Sequence, residues 1–170
     1  MNLMRQIRIE KITLNIGAGK SASKLEKGVK LLKLVTGLAP VKTITQKRIA
    51  AWGLRPGLPI GCKVTIRGEE AFELAKKLVI AVDKALTSKQ VDNAGNIAFG
   101  VQDYIDVPGV EYDPEIGSTG FQVCITLSRP GFRIKKRKIN QHKLGIKHII
   151  TKEEAKEFMK SNFEVLFDEE

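Results

Sequence analysis

The chain has 170 residues, 42% hydrophobic and 28% charged, with a formal net charge of +10. That length suits a single domain over residues 1–170 with a proper core, and the positive balance selects nucleic acid or an anionic surface as partner. No apolar run reaches the ~20 residues of a membrane-spanning helix, and MNLMRQIRIE holds no apolar signal core. Two cysteines, Cys62 and Cys124, make no disulfide framework. Both fall in strand-like segments, so reduced, buried thiols in a cytoplasmic protein are expected.

Residues 7–16 (IRIEKITLNI) alternate as a strand. The phase slips near Glu10-Lys11, which predicts a bulge. A glycine-rich turn, GAGKSAS, follows. Ser23 and Glu26 form an S-x-x-E capping box opening a helix. Leu25, Val29, Leu32 and Val35 are its apolar stripe, and Gly37 its C-cap.

From Val41 to Gly68 there are six cations and no acid. Val41, Thr43 and Thr45 alternate, as do Cys62, Val64 and Ile66, which predicts two paired arms. Between them Gly53, Pro56, Gly57, Pro59 and Gly61 break regular structure. The expectation is a hairpin with an extended basic loop over residues 47–59, carrying an exposed Trp52. Cations neutralise phosphates and a flat ring stacks on a base or ribose, so this loop suits nucleic acid.

A second helix opens with Glu69, Glu70 and Glu73. Its stripe of Phe72, Ala75, Val79, Val82 and Leu86 carries it to about Ser88. Asn93 to Asn96 is a turn. Ile97, Phe99 and Val101 alternate as a strand, as do Phe121, Val123, Ile125 and Leu127. An acidic, turn-rich connection joins them, and Gln90 to Ser128 contains no Lys or Arg. Residues 129–150 form a basic irregular segment, with eight cations and no acid between Arg129 and Lys147. Apolar residues interleave there, as in an ordered extension laid on a polyanion. Thr151 and Glu154 cap a last helix with Ala155, Phe158 and Met159, and FDEE is a frayed tail. The order β-α-β-β-α-β-β-α predicts an α+β, two-layer domain, helices on one side of a mainly antiparallel sheet.

Gly17-Ala18-Gly19-Lys20-Ser21 stands between strand and helix, the setting of a P-loop. The full motif needs a glycine where Leu14 stands, so a phosphate- or nucleotide-binding enzyme is the alternative reading, not the leading one. The amides of this helix start remain candidates for a backbone phosphate. His142, His148, Cys62 and Cys124 lack the pair spacings of a zinc site. No cofactor, metal or catalytic group is expected.

Several stretches carry a resemblance: IEKITLNIGAGKS, RIAAWGLRPGLPIGCKVTIRG, GNIAFGVQDYIDVPGVEYDPEIGSTGFQV, RPGFRIKKRK and GIKHIITKEEA. Together they resemble the universal large-subunit ribosomal protein five family (eukaryotic name, protein eleven), in its archaeal and eukaryotic branch. The resemblance runs from about residue 5 to 160. It implies a ribosomal protein of the cytoplasm that binds 5S rRNA and helps seat it in the central protuberance of the large subunit. It also implies contact with P-site tRNA through the hairpin loop, and an intersubunit bridge to a small-subunit head protein.

On the residues, rRNA contacts are expected at Asn15, Gly17, Lys20, Thr43, Thr45, Gln46, Thr65 and Arg67. Contacts with tRNA are expected at Lys47, Arg48, Trp52 and Arg55. Further contacts with large-subunit rRNA are expected at Arg129, Arg133, Lys135, Lys136, Arg137 and Lys138. The free protein is expected to be monomeric, with no membrane partner. One departure stands at Gly37-Leu38-Ala39-Pro40: a glutamine contact that relatives make there has no counterpart residue.

Overall fold

The computed structural model describes residues 2–168. In chain order its elements are β1 (Arg8–Gly17), α1 (Ala22–Thr36), β2 (Val41–Ile44), β3 (Pro59–Ile66), α2 (Glu69–Ile80) and β4 (Ala85–Thr87), then β5 (Ile97–Val101), β6 (Phe121–Ser128), α3 (Arg133–Lys136), α4 (Lys152–Phe163) and β7 (Leu166–Asp168). Five strands form one sheet in the order β2-β3-β1-β6-β5, every pairing antiparallel. β1 lies at the centre, and its register slips between Ile9 and Lys11, where the sequence places a bulge. The α+β architecture is the one expected, with a short second sheet added.

Alternation divides the large sheet into two faces. Ile12, Leu14 and Ile16 of β1, Cys62, Val64 and Ile66 of β3, and Val123, Ile125 and Leu127 of β6 are buried on one. The helices cover that face. α1 comes close at Gly28, where an added Cβ would lie 3.1 Å from Cys62 Sγ and 3.2 Å from Ile16 Cγ2. Leu31 and Leu32 of α1 and Leu78 of α2 are fully buried, each stabilising by ~1.5–3 kcal/mol. α4 closes the core through Ala155, Met159 and Phe163, whose ring centroid is 5.1 Å from that of Phe72.

Four local expectations are corrected. The N-cap of α1 is Ser21, not Ser23: its Oγ accepts from Lys24 N at 3.3 Å. The turn is complete once Gly19 takes a φ of 60°, so the helix starts two residues before the S-x-x-E pattern. α2 stops at Ile80 rather than near Ser88. Asp83 and Lys84 adopt φ of 51° and 57° and redirect the chain, and Leu86 is buried on a strand instead of a helical stripe. That strand, β4, pairs in parallel with β7, so Phe167 and Asp168 are ordered; Glu169 and Glu170, the rest of the tail expected to fray, lie outside the described residues. Finally, Cys124 is exposed and only Cys62 is buried.

The Thr151–Glu154 capping box forms as expected. The Glu154 carboxyl is held below its ordinary range, first by the Thr151 amide and then by the Arg129 guanidinium. A carboxylate with a lowered folded pKa stabilises above its unfolded pKa, and that contribution is lost as pH falls through the folded value. Glu154→Gln should therefore lower the melting temperature at neutral pH, and the gap from wild type should narrow as pH falls through the carboxylate range. Melting curves recorded across that range check this, and a gap that stays constant would remove the role of the Glu154 charge.

Candidate nucleic-acid interface

The second face of the large sheet is open except at its edge, where the short α3 stands beside Glu10 and Thr126. By register, Asn15 lies between Lys63 on β3 and Gln122 on β6, and Thr13 between Thr65 and Cys124. Lys11 lies beside Thr126, and Thr43 pairs with Gly61, which pairs with Gly17. Most side chains here are short and polar, apart from Val41 and Ala98; Lys11 and Lys63 supply positive charge, and Arg67 stands just beyond β3. Asn15 Nδ2 donates to Gln122 Oε1 at 3.3 Å, which leaves the Asn15 carbonyl and the Gln122 amide N–H groups for an outside partner. The acid at the rim of the face, Glu10, is ion-paired with Lys136. A flat, cationic surface of short donors and acceptors matches sugar and phosphate oxygens.

Of the residues expected to touch rRNA, Asn15, Gly17, Thr43, Thr65 and Arg67 share this face. Lys20 and Gln46 sit at its loop end. Thr45 does not belong with them. It is 8% exposed, and its Oγ1 donates to Leu58 O at 3.0 Å. The alternation that exposes Thr43 fails there because the register shifts after Thr43 and the chain turns into the loop.

That loop is more ordered than its glycines and prolines suggest. Ala50–Trp52 form a 3-10 turn, closed by Gly53 at φ 60°. Ile49 and Leu54 exchange backbone hydrogen bonds at 3.2 and 3.0 Å, and Leu54 is buried. The tip also lies against the β1–α1 turn: a Cβ on Gly53 would meet Lys20 Nζ at 2.5 Å. So the loop is a folded knob, not an extended strand pair. Trp52 is 65% exposed, and Lys47, Arg48 and Arg55 are exposed around it.

In the basic segment the structure separates one arginine from the rest. Arg133, Lys135, Lys136, Arg137 and Lys138 are exposed. Arg129 is 4% exposed. Its Nη2 bonds Glu154 Oε1 at 2.7 Å, and its Nη1 reaches the carbonyls of His148 and Ile149 at 3.3 and 3.4 Å. Arg129 is therefore a tie between β6 and the start of α4, and its expected RNA contact is withdrawn. His148 is also internal in role: its Nε2 is 2.9 Å from Pro130 O, and its ring meets Phe132 edge-on.

The GAGKS turn makes no phosphate cradle. The amides of Ala18 and Gly19 both donate to Ile60 O, at 2.9 and 3.1 Å, so the main chain of β3 holds the donors a P-loop would turn on a phosphate. Among the described residues no group of three or more His, Cys, Asp or Glu is placed to hold a metal ion. Among the described residues, no helix is long and apolar enough to cross a membrane.

Residues 2–55 match the family model described as "Ribosomal protein L5", and residues 59–158 match the model of that ribosomal family's C-terminus. The chain belongs to the ribosomal protein L5 family. It is 49% identical over 152 residues to the large ribosomal subunit protein uL5 of Nanoarchaeum equitans, covering 89% of each chain. It is 44% identical over 166 residues to the uL5 protein of Sulfurisphaera tokodaii, covering 97% of this chain and 94% of that one. It is 39% identical over 168 residues to the uL5 protein of Methanosphaera stadtmanae, covering 99% and 100%. In this L5 chain the two matched segments meet at the hairpin loop, yet β1 from the first lies between β3 and β6 from the second.

Residues of the open face that the sequence pattern did not single out are Lys11, Thr13, Gln122, Cys124 and Thr126; Lys63 entered it only as one cation of a basic stretch. All but Lys11, which follows Glu10 at the bulge, stand between two buried apolar residues of their strands, and that alternation was the available signal. It points to the open side as directly as to the core.

Proposed function

We propose that this protein is a structural constituent of the large ribosomal subunit, working in the cytoplasm, that holds 5S rRNA on the open face of its large sheet. One observation carries the assignment: an open sheet face of mostly short polar and cationic side chains, with its rim acid Glu10 paired to Lys136. The names of its relatives, all large ribosomal subunit proteins, support the setting. The exposed cations from Arg133 to Lys138 hold large-subunit rRNA beside the central protuberance. The protein works by binding and positioning, with no reaction of its own.

The loop tip serves a different partner. Lys47, Arg48, Trp52 and Arg55 are exposed on a folded knob, a shape suited to the P-site tRNA. The neighbouring surface meets a small-subunit head protein in an intersubunit bridge. Replacing Arg48, Trp52 and Arg55 together by alanine should leave 5S rRNA affinity and melting within error of wild type. Ribosomes carrying the triple variant should release P-site tRNA faster. A drop in 5S rRNA affinity with native circular dichroism would merge the two sites.

Cys124 gives a direct test of the sheet face. It is exposed between Thr13 and Ala98 on the open side, whereas burial pushes the Cys62 thiol up, towards the unreactive protonated form. A maleimide should modify Cys124 and spare Cys62 in the free protein. Saturating 5S rRNA should slow Cys124 labelling about tenfold or more, because stacking or backbone contact across the face excludes the reagent. An unchanged rate at saturation would move 5S rRNA off this face.

A further inference from the structure

One cavity lies beside the open face and shares Lys135 and Lys136 with the basic segment. It opens between Thr126 and Leu127 of β6, the Asp92–Asn96 turn and the basic segment, with a volume of about 780 Å³. That lies within the ~300–1,000 Å³ of small-molecule sites. Its walls include Phe132, Leu144 and Ile149, with the amides of Asn96 and Gln141 beside them. Lys135, Lys136 and Lys143 line it as well and are exposed. Lys136 is engaged by Glu10, which leaves Lys135 and Lys143 unpaired among the described residues.

Such a combination is unusual for a surface that meets only a duplex backbone. Phosphates need the lysines but have no use for apolar walls. A base buried in a helix cannot reach those walls. An unpaired nucleotide satisfies all three chemistries: its π-face packs on apolar side chains, its edge bonds amides, and its phosphate meets cations. Gln141 Nε2 already donates to Lys135 O, which fixes the amide while leaving its carbonyl and second N–H free. Thr126 belongs both to the cavity lining and to the open face, so an RNA lying on the sheet passes the mouth.

We infer that this cavity takes one unstacked nucleotide of the bound RNA, its base between Phe132 and Leu144, its edge on Gln141 and its phosphate on Lys135 and Lys143. The inference rests on the reading that the basic segment contacts rRNA. It is tested with the full chain and two RNA hairpins that differ by one nucleotide, one fully paired and one with a single bulged 2-aminopurine inserted. The bulged hairpin should bind about fivefold tighter or more, the range of one stacked base, and its fluorescence should change on binding. Ala94→Trp, made in the exposed turn at the cavity wall, should remove the difference and keep the affinity for the paired hairpin; Leu144→Ala should reduce the difference. Melting curves check that both variants fold.

If both hairpins bind equally with unchanged emission, while the Lys135→Ala, Lys143→Ala double variant weakens both, the nucleotide cavity is refuted and the RNA-binding segment stands. If the lysine variant weakens neither hairpin, the segment reading fails and this inference fails with it. A bulge preference that Ala94→Trp does not touch also overturns it, because the bulge is then read elsewhere.

Discussion

Arg129→Ala should destabilise the protein by about 2–4 kcal/mol, while Arg133→Ala, four residues on, should leave the fold almost unchanged. Removing one partner of a buried ion pair costs ~3–5 kcal/mol when the other charge is stranded. Here the Glu154 side chain is 38% exposed, so it rehydrates in part and the lower figure applies. The carbonyls of His148 and Ile149 lose their donor as well. For a chain of this size the loss lowers the melting temperature by roughly 4–16 °C. Arg129→Lys should fall between the two, because an ammonium cannot span a carboxylate and two carbonyls as a planar fork does. RNA binding should show the opposite order at a temperature where all are folded: Arg133→Ala weakens it and Arg129→Ala does not. Equal melting of Arg129→Ala and wild type would dismiss the tie.

That contrast shows where the sequence stops being legible. Arg129 and Arg133 sit in one block of cations with no acid among them, so composition treats them alike. Their fates differ because Arg129 directly follows β6, whose last residue Ser128 is buried, and there it meets the start of α4. Glu154, its partner, lies 25 residues away, and no local pattern couples the two. The strands and their faces were readable because alternation with period two is a property of each strand alone. The end of α2 was not. Val82 and Leu86 continue its stripe, and only the parallel pairing of β4 with β7, made through the distant C-terminal residues, decides that Leu86 joins a strand. The hairpin loop was found as a basic excursion, but its fold depends on Leu54 and on the Thr45–Leu58 bonds, which connect positions with no shared periodicity. Thr45 left the candidate site for the same reason.

The open sheet face predicts the largest effect on binding. Lys63 and Arg67 stand on β3 and just beyond it, and Lys63 lies directly beside Asn15. Both cations are exposed, so reversing them removes no core contact. The double change Lys63→Glu, Arg67→Glu should keep the melting temperature within about 2 °C of wild type, as surface substitutions usually cost under ~0.5 kcal/mol. Affinity for 5S rRNA at low salt should fall roughly 100-fold, since two phosphate contacts become two repulsions. The dependence of log affinity on log salt should also flatten by about 1.4 to 1.8, the counterions of two phosphates. Neutral changes on the same face should behave differently. Asn15→Ala with Thr65→Ala removes hydrogen bonds and no charge, so affinity should drop while the salt slope stays as it was. The two variants together separate steering by charge from recognition by short polar groups. If charge reversal lowers affinity without changing the slope, Lys63 and Arg67 act indirectly and the phosphates are held elsewhere. If neither variant alters binding while both remain folded, the uncovered face of the sheet is not where 5S rRNA lies.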